Sequence, residues 1–197
     1  MMETTDYCFS FFRKPIQNIK PIRAVGIVDV YRYIIGHYAQ PQTENLRLMQ
    51  SSPEAKRYKA THFDYCTFSG LFRKRNEKEL IMHSGCLDFD HVENIGELKQ
   101  QLLNHEYFDT ELLFVSPSGN GLKWIIPVDL KGWEHSRYFK AVANCIKATG
   151  LPLVDMSGSD VARSCFLSYD PQAFINHKYK DDVEENIFRP RLGECPF

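Results

Sequence analysis

Asp88 and Asp90 stand one residue apart in the short run Ser84-Gly85-Cys86-Leu87-Asp88-Phe89-Asp90-His91. In an extended strand successive side chains alternate faces. The two carboxylates therefore project the same way, about 7 Å apart along the chain, while Leu87 and Phe89 project into a core. Carboxylates displayed like this bind hard cations: Mg²⁺ is usually held by one or two of them plus substrate phosphates, and two-metal sites use them for in-line phosphoryl or nucleotidyl transfer. Asp-x-Asp alone also arises by chance, so the weight falls on what accompanies it. A third carboxylate after an apolar residue would complete the site, and Asp155 in Val154-Asp155-Met156-Ser157-Gly158-Ser159-Asp160 fits that pattern. Asp160 is the rival, although Ser159 or Asp160 also reads as the cap of a short helical turn, and Asp170 before Pro171 as a turn residue.

Phosphate-binding chemistry is offered by Ser116-Pro117-Ser118-Gly119-Asn120-Gly121-Leu122-Lys123. Gly119 and Gly121 allow a backbone to approach phosphate closely, Ser116 and Ser118 carry hydroxyls, and Lys123 adds a positive charge. A Walker loop would need Gly-Lys-Ser/Thr opening a helix, which is not what stands here. Asn120-Gly121 is also the favoured dipeptide of a type I′ hairpin turn, and the two readings are compatible. Arg163 has the planar fork that matches phosphate oxygens, with a structural ion pair as the alternative. Ser69-Gly70-Leu71-Phe72-Arg73-Lys74-Arg75 is either a phosphate-contacting segment or a basic turn between strands. His62, Cys66, His83 and Cys86 have zinc-like composition, but they fall in or beside predicted strands rather than knuckle turns.

The chain has 197 residues, 43% hydrophobic and 25% charged, with net charge -1 and pI about 6.6. That excludes a disordered chain and a strongly basic nucleic-acid coat, while leaving room for a local basic groove. No run approaches the apolar length of a membrane span and residues 1–13 lack a signal core, so a cytoplasmic protein is expected. The six cysteines lie without a CxxC pair and read as reduced, mostly buried thiols.

The elements that must position these residues follow from periodicity. Residues 7–12 predict a first strand, and Ile27, Val30, Tyr31, Ile34, Ile35 and Tyr38 predict one apolar helix face ending near Gly36. A second short helix is expected over 43–50, followed by an exposed basic connection at Lys56-Arg57-x-Lys59. Strands are expected at 65–68 and 80–83. From Cys86 to Tyr169 the expected order is strand, helix from Asn94, strand 112–116, strand 122–128, helix 133–148 and strand 165–168. This is the split βαβ pattern of ferredoxin-like sheets. Residues after 171 read as a solvated tail or a short closing strand.

Four pieces, FSGLFRKR, HSGCLDFD, FVSPSGNGLKW and VDMSGSDVARSCFLSYDP, in this order and spacing over about residues 65–171, resemble the VirE N-terminal domain group of the archaeo-eukaryotic primase and primase-polymerase superfamily. The resemblance implies an α+β, primase-polymerase-like fold: an RRM- or ferredoxin-like βαββαβ catalytic unit over 84–171, a smaller N-terminal α/β unit over 1–83 and a tail over 172–197. It places Asp88 and Asp90 on the first metal motif and Asp155 on the third. Gly119-x-Gly121-x-Lys123 matches the second, a Gly-x-Gly-x-His pattern that contacts the incoming nucleotide. Lysine in the histidine's place supplies a point charge rather than a directed imidazole hydrogen bond.

The expected function is a metal-dependent nucleotidyltransferase acting on a DNA template in replication of a mobile element or phage-like unit. Asp88, Asp90 and Asp155 would hold two Mg²⁺ or Mn²⁺, and Ser116, Ser118, Gly119, Gly121, Lys123 and Arg163 the nucleoside triphosphate. A VirE-type helicase-like partner would act in trans. The alternatives are a non-catalytic nucleic-acid or nucleotide-binding replication-initiation module, a metal-dependent nuclease, and a zinc-stabilised interaction domain.

Overall fold

The structure is a computed structural model that describes residues 8–49, 52–76 and 85–184. It is mixed α+β, with two antiparallel four-stranded sheets. In the first sheet, β1 (Cys8–Phe12) lies between β2 (Arg23–Gly26) and β3 (Tyr65–Thr67), and β3 pairs with β7 (Cys165–Phe166). In the second, β6 (Leu122–Ile126) lies between β4 (Gly85–Phe89) and β5 (Leu112–Val115), and β8 (Phe174–Ile175) pairs with the far edge of β5.

The alternation expected of β4 decides how the second sheet is sandwiched. Leu87, Phe89, Leu113, Trp124 and Ile126 face one way. They pack with Leu98 and Leu102 of α4 (Ile95–Leu103) and with Phe139, Val142 and Ile146 of α5 (His135–Ala148). Leu112, Phe114 and Ile125 face the other way and share a core with Phe9, Phe11, Cys66 and Cys165 of the first sheet and with Val30 and Ile34 of α1 (Ile27–Ile35). Each fully buried side chain of this size contributes about 1.5–3 kcal/mol. A one-residue slip of β4 would turn Leu87 and Phe89 out and Asp88 in, so the apolar face sets the carboxylate's direction.

The helix ends obey local rules. Asn94 caps α4, its side chain accepting from the Glu97 N–H at 3.1 Å, as the sequence predicts. In α1 the Asp29 carboxylate accepts from the Gly26 N–H at 3.1 Å. This helix stops at Ile35, so Tyr38 falls in a 3₁₀ turn (His37–Ala39) and is half exposed rather than on the buried face. The expected second helix is α2 (Gln40–Leu48). The expected basic connection is instead a helix, α3 (Pro53–His62), capped by Ser52 on the Ala55 N–H with Pro53 at its start. It buries no residue fully, so it has no apolar period to read.

The split βαβ expectation holds for β4, α4, β5 and β6, with β6 inserted between β4 and β5. The fourth strand does not. β7 leaves this sheet and pairs with β3, Cys165 opposite Cys66, while the Leu167 N–H donates to the Asp64 carbonyl at 3.0 Å. Beside β4 runs residue 155, whose N–H donates to the Asp88 carbonyl at 2.8 Å. The expected tail is also structured in part. β8 is followed by a 3₁₀ turn (His177–Tyr179) and α6 (Lys180–Glu184), clasped by buried Glu111, which accepts from Lys178 and from the Tyr179 hydroxyl at 2.6 Å. The strand expected at 80–83 lies outside the described residues. Among those described, no helix is long and apolar enough to cross a membrane.

Candidate metal centre

Asp88 projects from β4 directly opposite Lys123 of β6, Asp90 lies just past the end of β4, and Asp155 is delivered by its backbone bond to Asp88. Each of the three offers a carboxylate oxygen, and these oxygens lie within 4.8 Å of one another. Asp160 stays outside the cluster; its side chain accepts from the Ala162 N–H at 2.9 Å in a local turn. In the sequence Asp155 follows the apolar Val154, whereas Asp160 follows Ser159. The deciding contact is a backbone bond to Asp88.

Three cations surround the carboxylates. The Lys123 ammonium bonds Asp88 Oδ2, Arg163 meets Asp155 Oδ2 at 3.4 Å, and Lys59 of α3 faces the cluster closely enough for Asp90, Asp88 and Lys123 to act on its charge. Burial and Lys123 hold the Lys59 amine below its usual range, against the pull of Asp90 and Asp88. At Lys123 burial works against the charge, but Asp88 outweighs it and the ammonium stays protonated. Burial raises the Asp88 carboxyl, and Lys123 only partly offsets this. Asp88 Oδ1 is buried and has no hydrogen-bond partner among the described residues. An acceptor oxygen in that condition, beside two further carboxylates, fits a hard divalent cation.

Asp155 is held differently. Burial alone would raise its carboxyl, but the Ser157 hydroxyl and N–H, then Arg163 and Lys123, outweigh burial and keep it below the usual value. The Ser157 N–H bonds Asp155 Oδ1 at 2.9 Å, so Asp155 also caps the 3₁₀ turn Met156–Ser159.

The glycine turn meets this site at one end. The Ser116 N–H donates to the Gly121 carbonyl at 2.8 Å and the Gly119 N–H to the Ser116 carbonyl at 2.9 Å, with Gly119 at φ +81°. A type I′ turn would need positive φ at Asn120 and Gly121, and neither has it, so that expectation is corrected. Gly121 serves close packing: a Cβ there would lie 2.4 Å from the Phe89 carbonyl oxygen and 3.3 Å from both Asp90 Oδ1 and Ser116 Oγ. Ser116 Oγ is buried without a partner among the described residues. Gly119 packs instead on the side chain of Arg47, whose guanidinium donates to the Ser116 carbonyl at 3.4 Å, and Ser118 is exposed. Asp88, Asp90, Asp155, Lys123, Arg163, Gly121 and Ser116 thus come together, while Ser118 and Gly119 occupy the turn's outer side. Beside them opens a cleft lined by Ser69, Cys86, Asp88, His135, Arg163 and Cys165.

Lys59, which the sequence marks only as part of an exposed basic connection, reaches the site from α3, while Arg47 of α2 packs on the turn's outer side. The wider signal missed is the distribution of charge. Residues 8–76 contain twelve Lys and Arg against four Asp and Glu, whereas residues 85–184 contain nine against fifteen. Folding gathers much of the positive half at one end. The Ile16 N–H donates to the Ala60 carbonyl and the Arg75 N–H to the Ile19 carbonyl, both at 2.8 Å. These bonds join the 13–20 loop to α3 and to 73–75, and Lys20, Lys56, Arg57, Arg73 and Lys74 are exposed there. Summing charge by halves would have found it; the net of -1 conceals it.

Of the zinc-like set, Cys66 is wholly buried in the core, His62 stacks on Tyr58 on the surface and His83 lies outside the described residues. Among the described residues the group able to hold a metal is the aspartate cluster.

The family model for the BT4734-like N-terminal domain matches residues 57–174, a stretch that holds Lys59 and every residue of the carboxylate cluster. The chain belongs to this family. No curated protein and no solved structure matches it. In this BT4734-like domain the match runs from within α3 to the first residue of β8, so it takes in β4, β5 and β6 of the second sheet and the strand that crosses to the first.

Proposed function

We propose that this BT4734-like domain is a metal-dependent nucleotidyltransferase of primase-polymerase type, acting on DNA in replication of a mobile element or phage-like unit. The observation that carries the proposal is the convergence of Asp88, Asp90 and Asp155, with one buried acceptor oxygen unpartnered among the described residues. These residues would hold Mg²⁺ or Mn²⁺, which when bound activates an attacking hydroxyl and stabilises a leaving pyrophosphate. The chain's own work is orientation. Gly121 keeps the turn against Asp90, Ser116 offers an unused hydroxyl, and Arg163 and Lys123 place positive charge where triphosphate oxygens would lie. The basic end formed by α3, the 13–20 loop and residues 73–75 supports a polyanionic template.

A second reading, a non-catalytic nucleotide- or nucleic-acid-binding module, is favoured by one fact: Lys123 already neutralises Asp88 in the manner of a built-in cation. Titration of a deoxynucleoside triphosphate with Mn²⁺, beside a primed-template extension assay, separates the two. Nucleotidyl transfer predicts metal-dependent binding and extension, both lost in Asp88→Asn and Asp90→Asn, with DNA affinity retained. Arg73→Glu/Lys74→Glu should weaken DNA binding and flatten its salt dependence. Salt-sensitive DNA binding without metal-dependent nucleotide binding by folded wild type would leave only the second reading.

A further inference from the structure

Asp88 and Lys123 stand directly opposite each other on β4 and β6, and both side chains are largely buried. The lysine ammonium takes Asp88 Oδ2, while Oδ1 has no hydrogen-bond partner among the described residues. Asp88 therefore gives one oxygen to a fixed cation and leaves the other unused beside Asp90 and Asp155. Both Asp155 oxygens already accept: Oδ1 from the Ser157 N–H at 2.9 Å, Oδ2 from the Ser157 hydroxyl and from Arg163 at 3.4 Å. On the Asp90 side lies a second unused oxygen. Ser116 is 4% exposed, its Oγ has no partner among the described residues, and Ser116 Oγ and Asp90 Oδ1 each lie 3.3 Å from the place a Cβ on Gly121 would take. Unused acceptors thus gather on the Asp90 side of Asp88, and the Oδ2 side is filled.

We propose that the cluster takes a single divalent cation and that the Lys123 ammonium stands in the place of a second. The inference rests on the cation-binding reading above and fixes its stoichiometry. Two-metal sites hold their ions about 3.5–4 Å apart, and a carboxylate that bridges two cations gives one oxygen to each. Asp88 is already half of such a bridge, with the ammonium at Oδ2, so one metal ion at Oδ1 completes it. An ammonium suits this position because it is a compact point charge with three donors, which needs no carboxylate geometry around it. Charge points the same way. Lys123 and Arg163 already return two positive charges to three carboxylates. One divalent cation more than balances the negative charge that remains, and a second would enter a partly buried site with no counter-charge left in the cluster. Nor can the lysine step aside at low cost. Its other cross-strand neighbour is the fully buried Phe114 of β5, so an ammonium moved off Asp88 would be stranded in an apolar sheet.

The test counts Mn²⁺ bound to the whole chain by calorimetric titration and reads its electron paramagnetic resonance spectrum, with the metal alone and then with a non-hydrolysable deoxynucleoside triphosphate. Wild type should bind one Mn²⁺ per chain in both conditions and give the spectrum of an isolated ion. Folded Lys123→Met should bind two in the presence of the triphosphate and give the spectrum of a spin-coupled pair. A coupled pair in wild type overturns the proposal and leaves the cation-binding reading standing. A single ion in folded Lys123→Met overturns the part given to the lysine. Should that variant fail to fold, the wild-type spectrum decides alone. Folded wild type that binds no Mn²⁺ sinks the cation-binding reading itself, and this inference with it.

Discussion

Lys123→Met separates the roles of the lysine most sharply. Methionine keeps the apolar stem that packs between β4 and β5 but removes the ammonium from Asp88 Oδ2, whose other oxygen is already unpartnered. Breaking a buried ion pair from one side costs about 3–5 kcal/mol. The side chains of Lys123 and Asp88 retain 11% and 14% exposure, so the lower end, about 3 kcal/mol, applies. For a domain of this size that lowers Tm by about 6–12 °C in metal-free buffer. Adding Mn²⁺ should reverse much of the loss, because a cation then enters without displacing an ammonium. Saturation at a hundred times Kd stabilises by about 2.7 kcal/mol. The assay is thermal unfolding of wild type and variant across a Mn²⁺ series, with calorimetric titration of Mn²⁺ and of a nucleotide. The variant should start less stable, gain more from Mn²⁺, bind Mn²⁺ more tightly and bind nucleotide more weakly. Equal Mn²⁺ shifts in the two proteins would refute the view that lysine and metal share Asp88.

Gly121→Ala places a Cβ 2.4 Å from the Phe89 carbonyl oxygen, a backbone atom that cannot swing aside. The turn must back away from Asp90, with an overpacking cost of about 1–3 kcal/mol and weaker Mn²⁺ binding, read by Tm and titration; a variant indistinguishable from wild type would refute the role given to this glycine. Asp155 supplies the pH dependence. Its folded value is depressed below the unfolded value of about 3.9. The stability it adds is therefore complete above that value and lost as pH falls through the folded one. Ser157→Ala removes one of the bonds responsible, so its Tm deficit should be largest near neutrality and shrink below about pH 4. A deficit constant down to pH 2 would assign the depression to something other than Ser157.

The helix α3 shows where local pattern fails. A helix that buries no residue fully carries no 3.6-residue apolar signal, and Ser52-Pro53 was its only local mark. Its Lys59 then reaches the carboxylates from outside every motif. The fourth strand fails for another reason: β7 is two residues long, and pairing of so short a segment depends on which edge the rest of the chain leaves open.

The amino-acid sequence alone determined the direction of Asp88 and Asp90, because strand alternation and the need to bury Leu87 and Phe89 leave one orientation. It likewise determined α1, α4, α5 and the β5–β6 hairpin, whose apolar spacing is local. Only the tertiary structure brought Asp155, which the sequence favoured over Asp160, to the cluster, through a backbone bond to Asp88. It also decided that Lys123 sits on Asp88, a consequence of β4–β6 register, and that Gly121 serves packing rather than a left-handed turn. These are contacts between segments 30 or more residues apart, and composition, period and spacing carry information only along the chain.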